Sequence, residues 1–162
     1  MSLRSDSVFA IASAVVIVTC LPASAEVSDK SPTGFTIKTM MQVAAPPESV
    51  YRALIDIGSW WSSNHTYSGV ARNMSIAPVP GGCFCEKLAD GGSVEHGRVV
   101  YVAPGKLLRL ISSLGPLQEL GVSGSWTWQI APNGQGSTVT MTYAVGGYAQ
   151  GGLDALAGLG LG

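Results

Sequence analysis

The chain has 162 residues, a length typical of one domain with a single core. Only 12% of its residues are charged and the formal net charge is −1, so it offers no basic surface to neutralise a nucleic-acid backbone. We therefore expect one domain and no nucleic-acid partner.

The first residues have the pattern of a secretory leader. Arg4 precedes an apolar run over residues 8–21, and the small-residue motif Ala-Ser-Ala follows at 23–25. The pattern predicts a cleavable signal peptide over 1–25, a periplasmic or secreted protein, and no stable membrane insertion after cleavage. Two alternatives stay open: an uncleaved membrane anchor, and lipidation of Cys20, for which the preceding Thr19 is a poor fit.

The mature chain begins with a polar segment and continues with one strand and one helix. Residues 26–34 contain Ser, Pro and Gly and predict a short flexible lead-in. Residues 35–43, "FTIKTMMQV", alternate between apolar and polar side chains, as in a half-buried strand. A short helix is predicted next, with Pro47 as its first residue and Gly58 at its end.

Six strand-like runs follow, separated by residues that favour turns. Asp90-Gly91-Gly92 and residues 133–136 are strong hairpin signals, and Pro104-Gly105 marks a third turn. In the last two runs apolar and polar residues alternate, which predicts one buried face and one wet face. The order of elements indicates an α+β fold with a curved antiparallel meander of strands.

The hairpin around Asp90-Gly91 contains the residue types of a metal or nucleophilic site. A two-residue turn would place Cys85 opposite His96 and Cys83 opposite Arg98. Two thiolates and an imidazole suit zinc or copper, and a thiol beside a histidine can be a nucleophile. However, this spacing is not that of an established metal site, and side chains two apart in a strand suit a disulfide badly. We therefore expect free thiols in a sheet, no metal and no cofactor.

Several segments together resemble the START-like (SRPBCC) superfamily, in particular its polyketide cyclase/dehydrase and Hsp-ATPase-activator-like groups. The similarity covers residues 35–156 of a domain that spans 35–162. The segments that carry it are "VAAPPESVYRALIDIGSWW", "GGCFCEKLADGG", "GRVVYVAPGKLLRL", "GSWTWQI" and "TVTMTYAVGG".

The resemblance implies a helix-grip fold, in which an antiparallel sheet of about seven strands encloses an apolar cavity against a long C-terminal helix. The end of this chain, "YAQGGLDALAGLGLG", is rich in glycine, which disfavours helix. We therefore expect short N-terminal helices and an incomplete C-terminal helix. This would leave an apolar face through which the protein could form a homo-oligomer.

The leading hypothesis is a module that binds a small hydrophobic molecule of the lipid, polyketide or aromatic type in a cavity between sheet and helix, without covalent chemistry. Aromatic residues supply large apolar area to such a pocket. The candidates are Trp60, Trp61, Tyr101, Trp126, Trp128 and Tyr143.

Two alternatives remain. The first is a cyclase/dehydratase-like enzyme in which His96, Glu95 or Arg98 polarises a bound carbonyl group. The second is a protein-interaction or co-chaperone-like module. The other histidine, His65, follows the two adjacent tryptophans and is typical of a solvated loop.

Overall fold

The computed structural model describes residues 26–134 and 136–158. The predicted signal peptide and Gln135 of the predicted 133–136 turn lie outside the described residues. Within the described ranges, no helix combines the length and the apolar character needed to cross a bilayer.

In these described residues, the fold is an open antiparallel sheet of eight strands with one α-helix and several 3-10 turns. The strands are β1 (Glu26–Ser31), β2 (Gly34–Val43), β3 (Met74–Ile76), β4 (Cys83–Lys87), β5 (Ser93–Ala103), β6 (Leu107–Ser112), β7 (Gly121–Asn133) and β8 (Gly136–Tyr148). Their order across the sheet is β1-β2-β8-β7-β6-β5-β4-β3, so β3 to β8 form the predicted meander and β2 returns beside β8.

The predicted lead-in contains a strand, which raises the number of strands from about seven to eight. Residues of β1 pair with β2, from Glu26 opposite Lys38 to Ser31 opposite Gly34. Every residue of β1 is exposed. The alternation of apolar and polar residues could not predict this strand, because a strand with both faces exposed to solvent has no apolar face.

The helix α1 (Pro47–Ile55) begins at the predicted proline. It ends at Ile55, before the predicted end at Gly58, which lies in a 3-10 turn at Ile57–Ser59. The helix packs on the sheet through Tyr51 and Leu54, and Ile57 is fully buried just beyond it. The other 3-10 turns are Ser63–His65, Ala71–Asn73, Ala89–Gly91 and Gly115–Glu119.

The core lies on one face of the sheet, as the alternation in the last two strands predicts. The buried hydrophobic side chains of β7 and β8 are Trp126, Trp128, Ile130, Val139, Tyr143 and Val145. Their neighbours on β7, such as Ser125 and Gln129, point to the opposite face.

The predicted incomplete C-terminal helix is absent from the described residues 149–158, which form turns. Gly151 and Gly152 have φ values of 89° and 92°, in the left-handed region that breaks a helix. The segment still packs on the core: Leu153 and Ala157 are buried, and the Leu153 amide donates a hydrogen bond to the Pro32 carbonyl at 2.9 Å.

Candidate functional site

The register of the β4–β5 hairpin changes twice, and these changes decide which side chains meet. Asp90 and Gly91 form the predicted turn, with φ values of 61° and 80° and a hydrogen bond from the Gly92 amide to the Ala89 carbonyl. With this turn alone, Lys87 would pair with Val94. It pairs with Ser93 instead, which is the first register shift, by one residue.

The shifted register places Cys85 opposite Glu95, so the predicted pairing of Cys85 with His96 is wrong. A second shift between Phe84 and Cys85 restores the predicted pairing of Cys83 with Arg98. A one-residue slip moves a side chain to the other face of a sheet, which is why hairpin length alone could not settle the site.

His96 lies two residues from Val94, which pairs with the buried Glu86, so its side chain points into the interior. His96 and the next residue, Gly97, are both buried. A Cβ atom at Gly97 would lie 2.6 Å from the Cβ of Ser112, so only glycine fits at this close approach of β5 to β6. Glu95 and Arg98 remain on the outer face, where they form an exposed ion pair.

Cys83 and Cys85 form a disulfide on the outer face of β4, contrary to the expectation of free thiols. Their Cα atoms are 5.4 Å apart, whereas two residues of a regular strand rise about 6.6 Å. The Cα separation of this pair is close to the commonest one for a disulfide. Bonded sulfurs cannot serve as the proposed thiolate ligands or nucleophile. Among the described residues, no three metal-binding side chains converge.

The interior face of the hairpin carries a buried carboxylate–imidazole pair. Glu86 has no exposed surface and His96 is 4% exposed. Their Oε2 and Nε2 atoms are 2.9 Å apart. Oε2 also accepts the Tyr67 amide at 3.1 Å, and Oε1 accepts the Ser68 amide.

These hydrogen bonds keep Glu86 ionised. Burial by itself raises the pKa of Glu86, but the hydrogen bonds from Ser68, Tyr67 and His96 outweigh it and lower this pKa below its ordinary value. Because an ionised carboxylate only accepts hydrogen bonds, Nε2 of His96 must carry the proton between them.

His96 forms part of the wall of a cavity of about 310 Å³. Most of the remaining lining comes from two segments. One is the 3-10 turn Ser63–His65 with the residues after it, and the other is the start of the Gly115–Glu119 turn. The lining residues are Trp61, Asn64, His65, Thr66, Tyr67, His96, Leu114, Gly115 and Pro116. The cavity therefore combines aromatic and apolar side chains with the polar side chains of Asn64, His65 and Thr66 and with one buried imidazole.

Five of the six predicted aromatic ligand-binding residues divide into three groups. Trp61 lines the cavity. Trp126 and Trp128 are buried behind it, with the Trp126 ring 5.9 Å from that of Trp61. Trp60 and Tyr101 are half-exposed and do not line the cavity.

Tyr143, the sixth predicted aromatic, supports the cavity wall from behind. Its buried hydroxyl accepts the Leu114 amide at 3.2 Å and donates to the Ser112 carbonyl at 3.2 Å. These bonds hold Leu114, which lines the cavity. Among the predicted catalytic candidates, His96 alone lines the cavity, because Glu95 and Arg98 face outward.

Sequence reasoning missed Glu86 and Tyr67, and it assigned His65 to a solvated loop, whereas this exposed residue is part of the cavity lining. A signal for Glu86 was present: it alternates with the two cysteines and so shares the face of the fully buried Phe84. A charged residue on an apolar face needs partners. Here the partners come from a loop that is distant in sequence.

The sequence matches the family described as polyketide cyclase / dehydrase and lipid transport over residues 34–161. No curated protein matches the chain significantly.

Solved structures share the fold at low sequence identity. An uncharacterized protein from Rhizobium leguminosarum is 18% identical, with a TM-score of 0.53 over 85% of this chain and 90% of that one. A protein from Rhodobacter sphaeroides is 20% identical, with a TM-score of 0.51 over 83% of this chain and 85% of that one. The resemblance to the START-like superfamily is thereby confirmed, and the chain belongs to the polyketide cyclase / dehydrase and lipid transport family.

Proposed function

We propose that this protein binds a small hydrophobic molecule in the cavity beside His96. One observation carries the proposal: a cavity with a mostly apolar lining contains a single buried, hydrogen-bonded imidazole. Ligand pockets are mostly apolar with a few well-placed polar groups, and this combination supports such a role. The signal-peptide pattern supports a periplasmic or secreted location for this binding.

The size of the cavity favours a compact ligand. At about 310 Å³ it is near the lower end of the range for small-molecule pockets, roughly 300 to 1,000 Å³. A flat ring system would contact Trp61 and Tyr67 through its faces and edges. This supports a polyketide or aromatic type of ligand over a long acyl chain.

Binding is tested by native mass spectrometry of the mature protein, purified without detergent and compared with its denatured mass. We expect a non-covalent adduct of small-molecule mass, or uptake of an added apolar dye. A protein that yields no adduct and takes up no dye would contradict the proposal. Trp61→Ala should weaken uptake, whereas Trp60→Ala, outside the lining, serves as the matched control.

A second function, acid–base catalysis, is favoured by the Glu86–His96 pair. A histidine oriented by a buried carboxylate can take a proton from a bound substrate and return it. Of the three residues predicted to polarise a carbonyl, only His96 lines the cavity, which supports this role. Turnover that His96→Ala abolishes in a folded protein would support it. Unchanged turnover in this variant would exclude it.

A further inference from the structure

We propose that the cavity selects a ligand with a weakly acidic hydroxyl group, a phenol or an enol, which donates a hydrogen bond to Nδ1 of His96. This inference rests on the proposed binding function and adds the chemical class of the ligand. It follows from the direction of one hydrogen bond, from the surroundings of the imidazole, and from the cost of leaving its second nitrogen unpaired.

The carboxylate of Glu86 fixes the tautomer of His96. It accepts hydrogen bonds from two backbone amides as well as from Nε2 of His96, so it is a committed acceptor. A neutral imidazole has one N–H and one lone pair. With the proton on Nε2, the lone pair is on Nδ1, and the histidine presents an acceptor to any neighbour on that side.

Nδ1 of His96 is available to a ligand. It makes no hydrogen bond to any described residue. Three side-chain polar atoms of residues 26–134 and 136–158 are fully enclosed and lack a hydrogen-bond partner, and Nδ1 of His96 is not one of them. Part of this atom is therefore accessible. The ring is held between aromatic neighbours, with the Phe84 centroid at 5.0 Å and the Tyr67 centroid at 5.8 Å. The acceptor is therefore set in a fixed, mostly apolar wall.

This arrangement discriminates between ligands of equal shape. An apolar ligand that covers Nδ1 would shield this atom from solvent without offering it a hydrogen bond. A buried acceptor without a hydrogen bond costs binding free energy. A hydroxyl donor satisfies it. An acidic hydroxyl gains more than an alcohol, because the partial positive charge that develops on the imidazole faces the negative charge of Glu86.

The test compares two probes that differ by one methyl group, 2-naphthol and 2-methoxynaphthalene. Titration of the full mature protein should show 2-naphthol binding about tenfold more tightly, the effect of about one hydrogen bond. His96→Phe should abolish the difference by weakening the naphthol. Glu86→Gln should reduce it and Glu86→Asp should restore part of it, as expected of a positioning residue.

The matched control is Glu95→Gln, the same substitution at the residue before His96 but on the outer face. It should keep the preference of the unchanged protein. If neither probe binds the unchanged protein, the proposed binding function fails. If both bind equally well, binding stands and only the selection of a hydroxyl is overturned.

A second measurement does not depend on the variants folding. ¹⁵N NMR of the imidazoles in the unchanged protein should show His96 protonated at Nε2, with a shift at Nδ1 on addition of 2-naphthol but not of its methyl ether. His65→Gln assigns the signals of the other histidine. A proton on Nδ1 in the free protein, or identical spectra with both probes, would overturn the inference.

Discussion

Glu86 and His96 are diagonal neighbours across β4 and β5, and both side chains point into the core. Glu86 pairs in register with Val94, so His96 is two residues further along on the same face, which puts their Oε2 and Nε2 atoms 2.9 Å apart. A fully buried carboxylate is thus held by an imidazole from the neighbouring strand and by two amides from the loop after the Ser63–His65 turn.

Glu86→Gln should lower the free energy of unfolding by about 1 to 3 kcal/mol. The amide retains one acceptor but turns its NH₂ group toward buried donors, which leaves at least one of them unsatisfied. Urea denaturation measures the change. Glu95→Gln, in an exposed ion pair, should cost less than about 1 kcal/mol. Equal losses in both variants would contradict the burial argument.

The contribution of Glu86 should disappear in acid. Its pKa is lower in the folded protein than its ordinary value of 4.5, so its stabilisation is fully present above that value and is lost as the pH falls through the folded pKa. The stability difference between the unchanged protein and Glu86→Gln should therefore be constant near neutral pH and shrink below about pH 4.5. If this stability difference instead grew as the pH fell, the pKa of Glu86 in the folded protein would be raised and not lowered.

Gly97→Ala should destabilise the protein by about 1 to 3 kcal/mol through overpacking. The new methyl would lie 2.6 Å from the Ser112 Cβ and 2.8 Å from the Ile111 carbonyl oxygen. Gly158→Ala is the control, because a Cβ there meets no atom of the described residues within 4 Å. Thermal unfolding measures the stability of both variants. If Gly97→Ala left the stability unchanged, β5 and β6 would be able to move apart at little cost.

Tyr143→Phe should cost about 1 to 2 kcal/mol and weaken ligand binding. The lost hydroxyl leaves the Leu114 amide without its partner, so the cavity wall at Leu114 becomes less fixed. Tyr148→Phe is the control, since Tyr148 is 76% exposed. Dye titration and urea unfolding separate the two effects. Unchanged affinity would show that the wall does not need this support.

Replacement of both disulfide cysteines by serine should cost only about 1 to 2 kcal/mol, because the loop that they close spans three residues. The residue between them, Phe84, packs against His96 and Trp61, so affinity for the cavity ligand should fall as well. Treatment of the unchanged protein with a reductant should reproduce both effects. A loss above about 4 kcal/mol would point to a larger rearrangement than this short loop implies.

The sequence by itself determined the fold class and much of the strand pattern. The alternation around Trp126 and Val139 marks the buried face because side chains alternate across a strand. Pro47 begins the helix because its fixed φ suits a first helical position. The segments typical of the START-like superfamily identified the family that the comparison confirms.

Only the tertiary structure decided which side chains form the site. Two register shifts exchange the predicted Cys85–His96 contact for a disulfide outside and a Glu86–His96 pair inside. Each shift moves a side chain from one face to the other, and no local pattern fixes where it occurs. The partners of Glu86 come from Tyr67 and Ser68, whose approach depends on packing between distant segments.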